Sequence, residues 1–337
     1  MRKKILFSVF LLIAIAVVYR LSVFTPELAS FSGPTMGTTY TVKFFTTKEV
    51  GDAWVVKEDV DAALVRVNSL MSTYDPNSEL SLFNTLPAGQ SAVISDDMAY
   101  VVDKALLISE MSGGEYDVTV GPLVNLWGFG PGKHEDKVPS QELIDEAKSR
   151  VGYQYLKLDG RRLMKEKDIY VDLSSIAKGY GVDAVARVLQ DRGIESYLIE
   201  VGGEIVSKGL KPDGAPWRIA IESPAGGHDI AERIISVTDV AVATSGDYRN
   251  YFEKNGVRYS HTISPISGRP ITHRLVSVTV VDKTTTMADG LATAVTVLGP
   301  DKGFEFVQKN GIAAYLLVKT DFGFEEHSSD AFKAYLK

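Results

Sequence analysis

No cysteine occurs anywhere in the 337 residues. That absence excludes disulfides, thiolate metal sites and a cysteine nucleophile, and it removes the residue that a bacterial lipoprotein would acylate. Basic charge is in short supply as well. The 36 Lys and Arg residues stand against 43 Asp and Glu, for a net charge of -7. A balance of that sign gives no electrostatic footprint for DNA or RNA, so no nucleic-acid partner is expected. Also missing is an apolar stretch of the roughly 20 residues that an unassisted membrane span needs. The longest run, Ile5 to Tyr19, falls short, although snorkelling of Arg20 could extend it through Leu21 to Phe24. Internal repeats and low-complexity tracts are absent.

With 45% hydrophobic and 23% charged residues, the chain has the apolar material for a sizeable core, and disorder is excluded. Arg2, Lys3 and Lys4 precede the apolar run and mark a targeting element that sets the body outside the cytoplasm. A retained anchor and a cleaved signal both fit. No clear small-x-small cleavage site follows, which favours the anchor and predicts attachment to the membrane through this segment. The expected location is the cell envelope, on the periplasmic side of the inner membrane. The chain divides into a signal or anchor over 1–24, a linker over 25–33 and one folded body over 34–337.

Within the body, Thr38 to Phe45 alternates and is β-branched, so a strand is expected there. Helical spacing of Val60, Leu64, Val67 and Met71 predicts a helix over 57–71, and further helices are expected over 96–111, 141–150, 176–192, 287–298 and 302–310. Gly113 to Gly132, rich in Gly, Pro and aromatics, reads as an ordered loop region serving a site. The second half is strand-rich: 197–201, 217–222, 233–237, 240–244, 248–253, 257–260, 275–281 and 313–318 are predicted strands. Strands separated by turns with grouped helices point to an α+β fold of mostly antiparallel sheet.

Four places could carry chemistry. In the helix over 287–298, Leu291, Ala294, Val295 and Leu298 form the expected buried stripe and leave Asp289 and Thr293 together on another face. A carboxylate and a hydroxyl at i,i+4 could hold magnesium, which accepts one or two carboxylates plus phosphate oxygens. The plainer alternative is a solvated acid complementing the helix dipole. From Val171 to Gly181 a strand end runs into a helix start, where free amides, Lys178 as a mobile positive charge and close-approach glycines would suit a pyrophosphate. An ordinary helix capped by Ser174 or Ser175 is the other reading. His261, at the end of a strand, could take a proton near neutral pH or be a hydrogen-bonded structural histidine. Met36, Tyr74 and Tyr116 with Asp117 have side chains or settings suited to a fused ring, or equally to core and turn packing, and Gly202-Gly203 and Thr244-Ser245-Gly246 read first as tight turns.

The strings GPTMGTTY, MSTYDPNSELSLFN, YDVTVGPLVNLWGFGP, VDLSSIAKGYGVD, YLIEVGGEI, VATSGDYRNYF, YSHTISPISGRPI and ADGLATAV occur in this order from about Gly33 to the C-terminus. Together they strongly resemble the FAD:protein FMN transferases, the ApbE family once associated with thiamine biosynthesis. The resemblance implies a T-fold-like α+β body, FAD as substrate and Mg2+ in the site. It implies that Met36, Tyr74, Tyr116, Asp117, Val118, Ser174, Tyr180 and Ile263 lie along the flavin nucleotide, and that Asp289, Thr293 and the carbonyl of Ala177 bind the metal. Acceptors would be flavoprotein subunits of membrane redox complexes, with His261, or else Asp289, removing the acceptor's hydroxyl proton. An FAD pyrophosphatase and a non-catalytic FAD carrier are the rival activities. Two departures stand out: the lipoprotein cysteine is missing, and Gly290 replaces a common alanine, which would loosen the helix by about 1 kcal/mol.

Overall fold

The structure is a computed structural model that describes residues 26–46, 53–131, 138–222, 231–246, 251–254 and 257–336. The signal or anchor expected over 1–24 lies outside the described residues. Among those described, no helix is long and apolar enough to cross a membrane.

The chain opens with β1 (Glu27–Thr35) and β2 (Thr38–Thr46), then α1 (Ala53–Met71), α2 (Glu79–Asn84), β3 (Ser91–Val93), α3 (Asp96–Met111), α4 (Gly121–Leu126) and α5 (Gln141–Ser149). After β4 (Leu156–Asp159) and β5 (Arg162–Lys165), α6 (Ala177–Asp191) leads to β6 (Tyr197–Val201), β7 (Glu204–Lys208), β8 (Trp217–Glu222), β9 (Ala231–Val237) and β10 (Val240–Gly246). The remainder is β11 (Tyr251–Lys254), β12 (Val257–Ser260), β13 (Ile263–Ser264), β14 (Arg269–Pro270), β15 (Leu275–Asp282), α7 (Thr285–Leu298), α8 (Pro300–Lys309), β16 (Ala313–Thr320) and β17 (Gly323–Ser328).

Eight strands form one sheet in the order β1-β2-β6-β7-β10-β15-β16-β17, and every pairing along it is antiparallel. The expected α+β class with mostly antiparallel sheet is what the chain adopts. Period-2 alternation sends Val278, Val280, Ala314 and Leu316 to the helical face and Val281, Tyr315 and Leu317 to the other. The helical face carries α6 over β6 and β7 and α7 over β10 and β15. The opposite face is covered by the β8–β9 hairpin, through Trp217, Ile219 and Ile235, and by Phe332. A smaller cluster of Leu123, Trp127, Ile144 and Ile263 ties α4 and α5 to the β13–β14 turn.

Helix α7 is enclosed by α3, α6, α8 and the sheet, so Ala288, Leu291, Ala292, Ala294 and Val295 are all buried. Each fully buried branched side chain of this kind contributes about 1.5–3 kcal/mol. At Gly290 a Cβ would lie 2.5 Å from the movable end of Ile108, its Cδ1, so α3 packs close against α7 at this glycine.

The linker expected over 25–33 is corrected, because Glu27–Thr35 is a full strand paired with β2 from Glu27↔Thr46 to Thr35↔Thr38. Gly33 and Pro34 look like breakers in sequence. On an edge strand, however, proline is tolerated, and a Cβ at Gly33 would sit 2.7 Å from the Tyr40 ring. The two-residue turn, Met36 with φ 47° and Gly37 with φ 71°, twists with the strands as a primed hairpin turn does. Expectation and structure agree on the helix over 96–111 to the residue. The strand expected over 248–253 is described only as Tyr251–Lys254, residues 247–250 lying outside the described set.

Candidate active site

The junction of α6 with α7 concentrates buried charge. Gly179 permits the contact: a Cβ there would meet the Thr285 carbonyl oxygen at 2.3 Å and Asp289 Cβ at 2.8 Å. Its N–H donates to Asp289 Oδ2 at 2.8 Å. Asp289 is 5% exposed, so the expectation that it faces away from the buried stripe is corrected. The whole first half of α7 is inside, and the solvated-acid alternative goes with that correction. Burial pushes the Asp289 carboxyl up to about 6, against the pull of Lys178 and the Gly179 N–H and with a further push from Asp183.

Lys178 is not a loose cation. Its Nζ lies 2.5 Å from Glu204 Oε1, and although burial works against its charge, Glu204 and then Asp289 hold its pKa above the usual lysine value. Burial likewise pushes Glu204 upward, with Lys178 opposing and Asp289 reinforcing, and the 2.5 Å contact marks the two as an ion pair. Glu204 Oε2 and Thr285 Oγ1 are buried without a hydrogen-bond partner among the described residues. Asp183, on α6, caps α7 from outside: it accepts the Thr285 N–H and the Thr286 N–H, each at 2.9 Å, and the Thr286 hydroxyl at 2.6 Å. Sequence inspection missed Glu204 and Asp183. The Gly202-Gly203 turn before Glu204 was visible, but nothing local pairs either acid with a helix outside its own segment.

The donor types expected to hold a cation are the kind a hard ion takes. Asp289, the half-buried Thr293 one turn further along α7 and Ala177 at the first residue of α6 supply oxygen only, the set magnesium prefers. Among the described residues no three His, Cys, Asp or Glu form a protein-only cage, so such a cation would complete its shell with water and phosphate oxygens. Neither Ser174 nor Ser175 caps α6. The N-cap position is Ile176, with no side-chain cap.

Those serines serve the rim. Ser174 is exposed, and its N–H and hydroxyl donate to Asp172 Oδ1 at 2.8 and 2.5 Å. The Ser175 hydroxyl donates to Tyr116 Oη at 2.9 Å. Tyr116 is raised chiefly by burial and further by Asp289, Asp172 and Asp117, which fixes it beside the acidic junction. Tyr74 continues the rim: 66% exposed, it donates through its hydroxyl to the Phe129 carbonyl at 3.3 Å, and partial desolvation of that hydroxyl end and then Asp172 raise its pKa. Phe129 meets the half-buried His261 edge-on, ring centroids 6.4 Å apart. Tyr74, Phe129 and His261 thus form one wall. Met36 lies on the other side of α6, where a Cβ on Gly181 would approach its Sδ to 3.2 Å.

Four of the residues singled out in sequence are built into the scaffold through their side chains. Both oxygens of Asp117 are occupied, Oδ1 by the Thr119 N–H and hydroxyl and Oδ2 by the Tyr153 N–H. Val118 and Ile263 are core residues, Val118 accepting the Asp172 N–H on its carbonyl at 2.7 Å. Tyr180 turns from the junction to Asp97, which accepts its hydroxyl at 2.5 Å, and the Arg187 guanidinium lies over its ring at 4.9 Å. A separate cleft of about 270 Å³ opens on the hairpin side of the sheet, lined by Lys43, Glu200, Ile205 and Arg218 among others. None of the residues singled out in sequence lines it.

An antiparallel sheet carrying a helix pair, with a buried acid and a lysine–glutamate ion pair at the helix junction, defines an α+β protein with a charged cleft-side site between two helices. Residues 36–316 match the ApbE family. The chain is 48% identical over 311 residues to the FAD:protein FMN transferase of Vibrio cholerae, covering 92% of this chain and 93% of that one. With the FAD:protein FMN transferase of Escherichia coli K12 it shares 39% over 317 residues, covering 92% and 90%. Among solved structures, the flavin transferase ApbE of V. cholerae superposes with a TM-score of 0.87 at 46% identity, covering 93% of this chain and all of that one. The apo flavinyl transferase ApbE of Pseudomonas stutzeri gives 0.87 at 45%, covering 93% and 98%. The chain belongs to the ApbE family.

Proposed function

We propose that this protein is an FAD:protein FMN transferase that cleaves FAD, leaves FMN on a threonine or serine of an acceptor flavoprotein through a phosphoester, and releases AMP. The observation that carries the reading is Asp289, buried at the start of α7 and bonded to the first turn of α6, in a chain similar over nine-tenths of its length to relatives named for that reaction. The eight-stranded antiparallel sheet with helices on one face suits a T-fold-like body.

Tyr74 and Met36 would line the flavin, with Tyr116 and Ser174 nearer the phosphates. Lys178 and the N-terminus of α6 would bind the pyrophosphate. Asp289, Thr293 and the Ala177 carbonyl would hold magnesium, which supplies charge neutralisation on the transferred phosphoryl and the leaving phosphate. The acceptor hydroxyl oxygen attacks the phosphorus that bears the riboflavin chain, the bond from that phosphorus to the bridging oxygen breaks, and AMP leaves with the bridging oxygen. His261 takes the hydroxyl proton.

The test is to incubate the full chain with FAD, magnesium and a flavoprotein subunit of a membrane redox complex, then weigh the acceptor. Transfer adds FMN to its mass. Release of free FMN and AMP with the acceptor unchanged replaces the reading with a pyrophosphatase, and FAD binding without turnover replaces it with a carrier. For location, Arg2, Lys3 and Lys4 ahead of the apolar run support a body on the periplasmic side of the inner membrane. Full-length protein in the membrane fraction supports an anchor, a soluble form lacking the run supports a cleaved signal, and full-length protein in the cytoplasm refutes both.

A further inference from the structure

The hairpin that joins β6 to β7 has only two loop residues, Gly202 with φ 60° and Gly203 with φ 105°, and Val201 pairs directly with Glu204. Only glycine sits comfortably at both loop positions. The turn also makes room for α6, since a Cβ on Gly202 would lie 3.3 Å from Lys178 Cδ and 2.8 Å from Thr38 Cγ2. The lysine stem therefore runs beside the turn, and its ammonium ends on the first carboxylate after it. Glu204 is 2% exposed, with Oε1 at 2.5 Å from Lys178 Nζ and Oε2 buried without a partner. A buried carboxylate with one oxygen unsatisfied is costly to keep. Asp289 is the second acid acting on Lys178. Glu200, whose carboxylate accepts the Gly203 N–H at 2.6 Å, is a third and acts more weakly, and the nearest of the three, Glu204, determines where the ammonium sits.

We infer that Glu204 is a positioning residue of the active site: it holds the Lys178 ammonium at the β6–β7 turn, poised for the phosphates of the bound dinucleotide and kept from closing onto Asp289. The inference rests on the proposed reading that FAD binds at this junction. Without the Glu204 charge, the ammonium moves to Asp289, which acts on it more strongly than Glu200 does, and occupies the carboxylate a cation would need. Glu204 then affects two separate equilibria, nucleotide binding without metal and metal binding without nucleotide, and it affects both through Lys178.

The experiment measures FAD binding by fluorescence quenching in EDTA, and magnesium binding by thermal shift without FAD, on the full chain and on Glu204→Gln, Lys178→Met and the double variant. Glu204→Gln is expected to weaken FAD binding about tenfold and to weaken the magnesium response, with no further loss of either when Lys178→Met is already present. Glu204→Asp, which keeps the charge, should recover most of the FAD affinity. Equal weakening by Glu204→Gln with and without Lys178 would make Glu204 merely structural and overturn the inference. So would unchanged FAD binding by Glu204→Gln while Lys178→Met is weakened. Failure of the wild-type chain to bind FAD would instead remove the functional reading itself.

Discussion

Replacing Asp289 by asparagine separates what its carboxylate does for folding from what it does for the site. The variant keeps the shape and an oxygen for the Gly179 N–H, now 2.8 Å from Asp289 Oδ2, and removes only the charge. Because burial raises this carboxyl from 3.8 to about 6, the ionised form is disfavoured in the metal-free fold. Its penalty grows as pH rises from the unfolded value through 6 and is fully present above that. A displacement of about 2 units corresponds to about 3 kcal/mol. At about 2.1 cal/mol/K per residue the unfolding entropy of a chain of this size is about 0.7 kcal/mol/K, so Asp289→Asn should melt roughly 4 °C higher than wild type at pH 8 in EDTA. The difference should shrink as the pH falls to 4 and disappear below the unfolded value of 3.8, where the carboxyl is protonated in both folded and unfolded chains. Magnesium at a hundred times its dissociation constant adds about 2.7 kcal/mol to a fold that binds it. It should therefore raise the wild-type melting temperature and leave the variant unmoved, and the variant should lose magnesium-dependent turnover. Scanning calorimetry from pH 4 to 8, with and without magnesium, is the assay. An Asp289→Asn protein that melts at or below wild type at pH 8 in EDTA refutes the buried-charge argument, and one that responds normally to magnesium refutes the metal role.

His261→Ala should lower the transfer rate about a hundredfold while FAD affinity changes little, as expected of a group acting in the transition state; parallel loss of binding and of rate would reassign it to positioning. Asp183→Ala removes the acceptor of two N–H groups and one hydroxyl at the start of α7 and should cost about 2 kcal/mol in urea denaturation; a loss below about 0.5 kcal/mol would mean that the N-cap Thr284, whose hydroxyl accepts the Met287 N–H at 3.3 Å, holds the helix start without it. Gly179→Ala brings a methyl group to 2.3 Å from the Thr285 carbonyl oxygen, so α6 and α7 must part, and a loss of about 3 kcal/mol or more is expected; a stable variant with normal magnesium response would show that the junction yields easily.

Periodicity made the long elements legible, because α3 and α7 repeat apolar residues every three to four positions and the central strands every two. It failed where the elements are short or edge-placed. Six-residue α2 and α4 have too few turns to show a repeat, β17 alternates with little apolar contrast, and β1 carries a Gly-Pro pair that signals a break anywhere but on an edge. At the site, the i,i+4 placement of Asp289 and Thr293 was readable because it is local. That Asp289 is buried was not, since it depends on α3 and α6 closing over α7. The partner of Lys178 could not be read either: Glu204 lies 26 residues away across a helix and a hairpin, and only the fold brings them together.

The order of strands in the sheet bears on how the molecule can be held. The first strand, β1, and the last, β17, are its two opposite edges. With seven inter-strand steps of about 4.8 Å, they stand roughly 34 Å apart. Were the segment ahead of Glu27 the proposed tether, it would grip one rim of the molecule, while the C-terminal strand sits on the far rim and the helix junction at α6 and α7 lies between them, over β6, β7, β10 and β15. A body held in that way would swing about its attachment point with the site at mid-arm, so that the span from surface to site would be set by the width of the sheet.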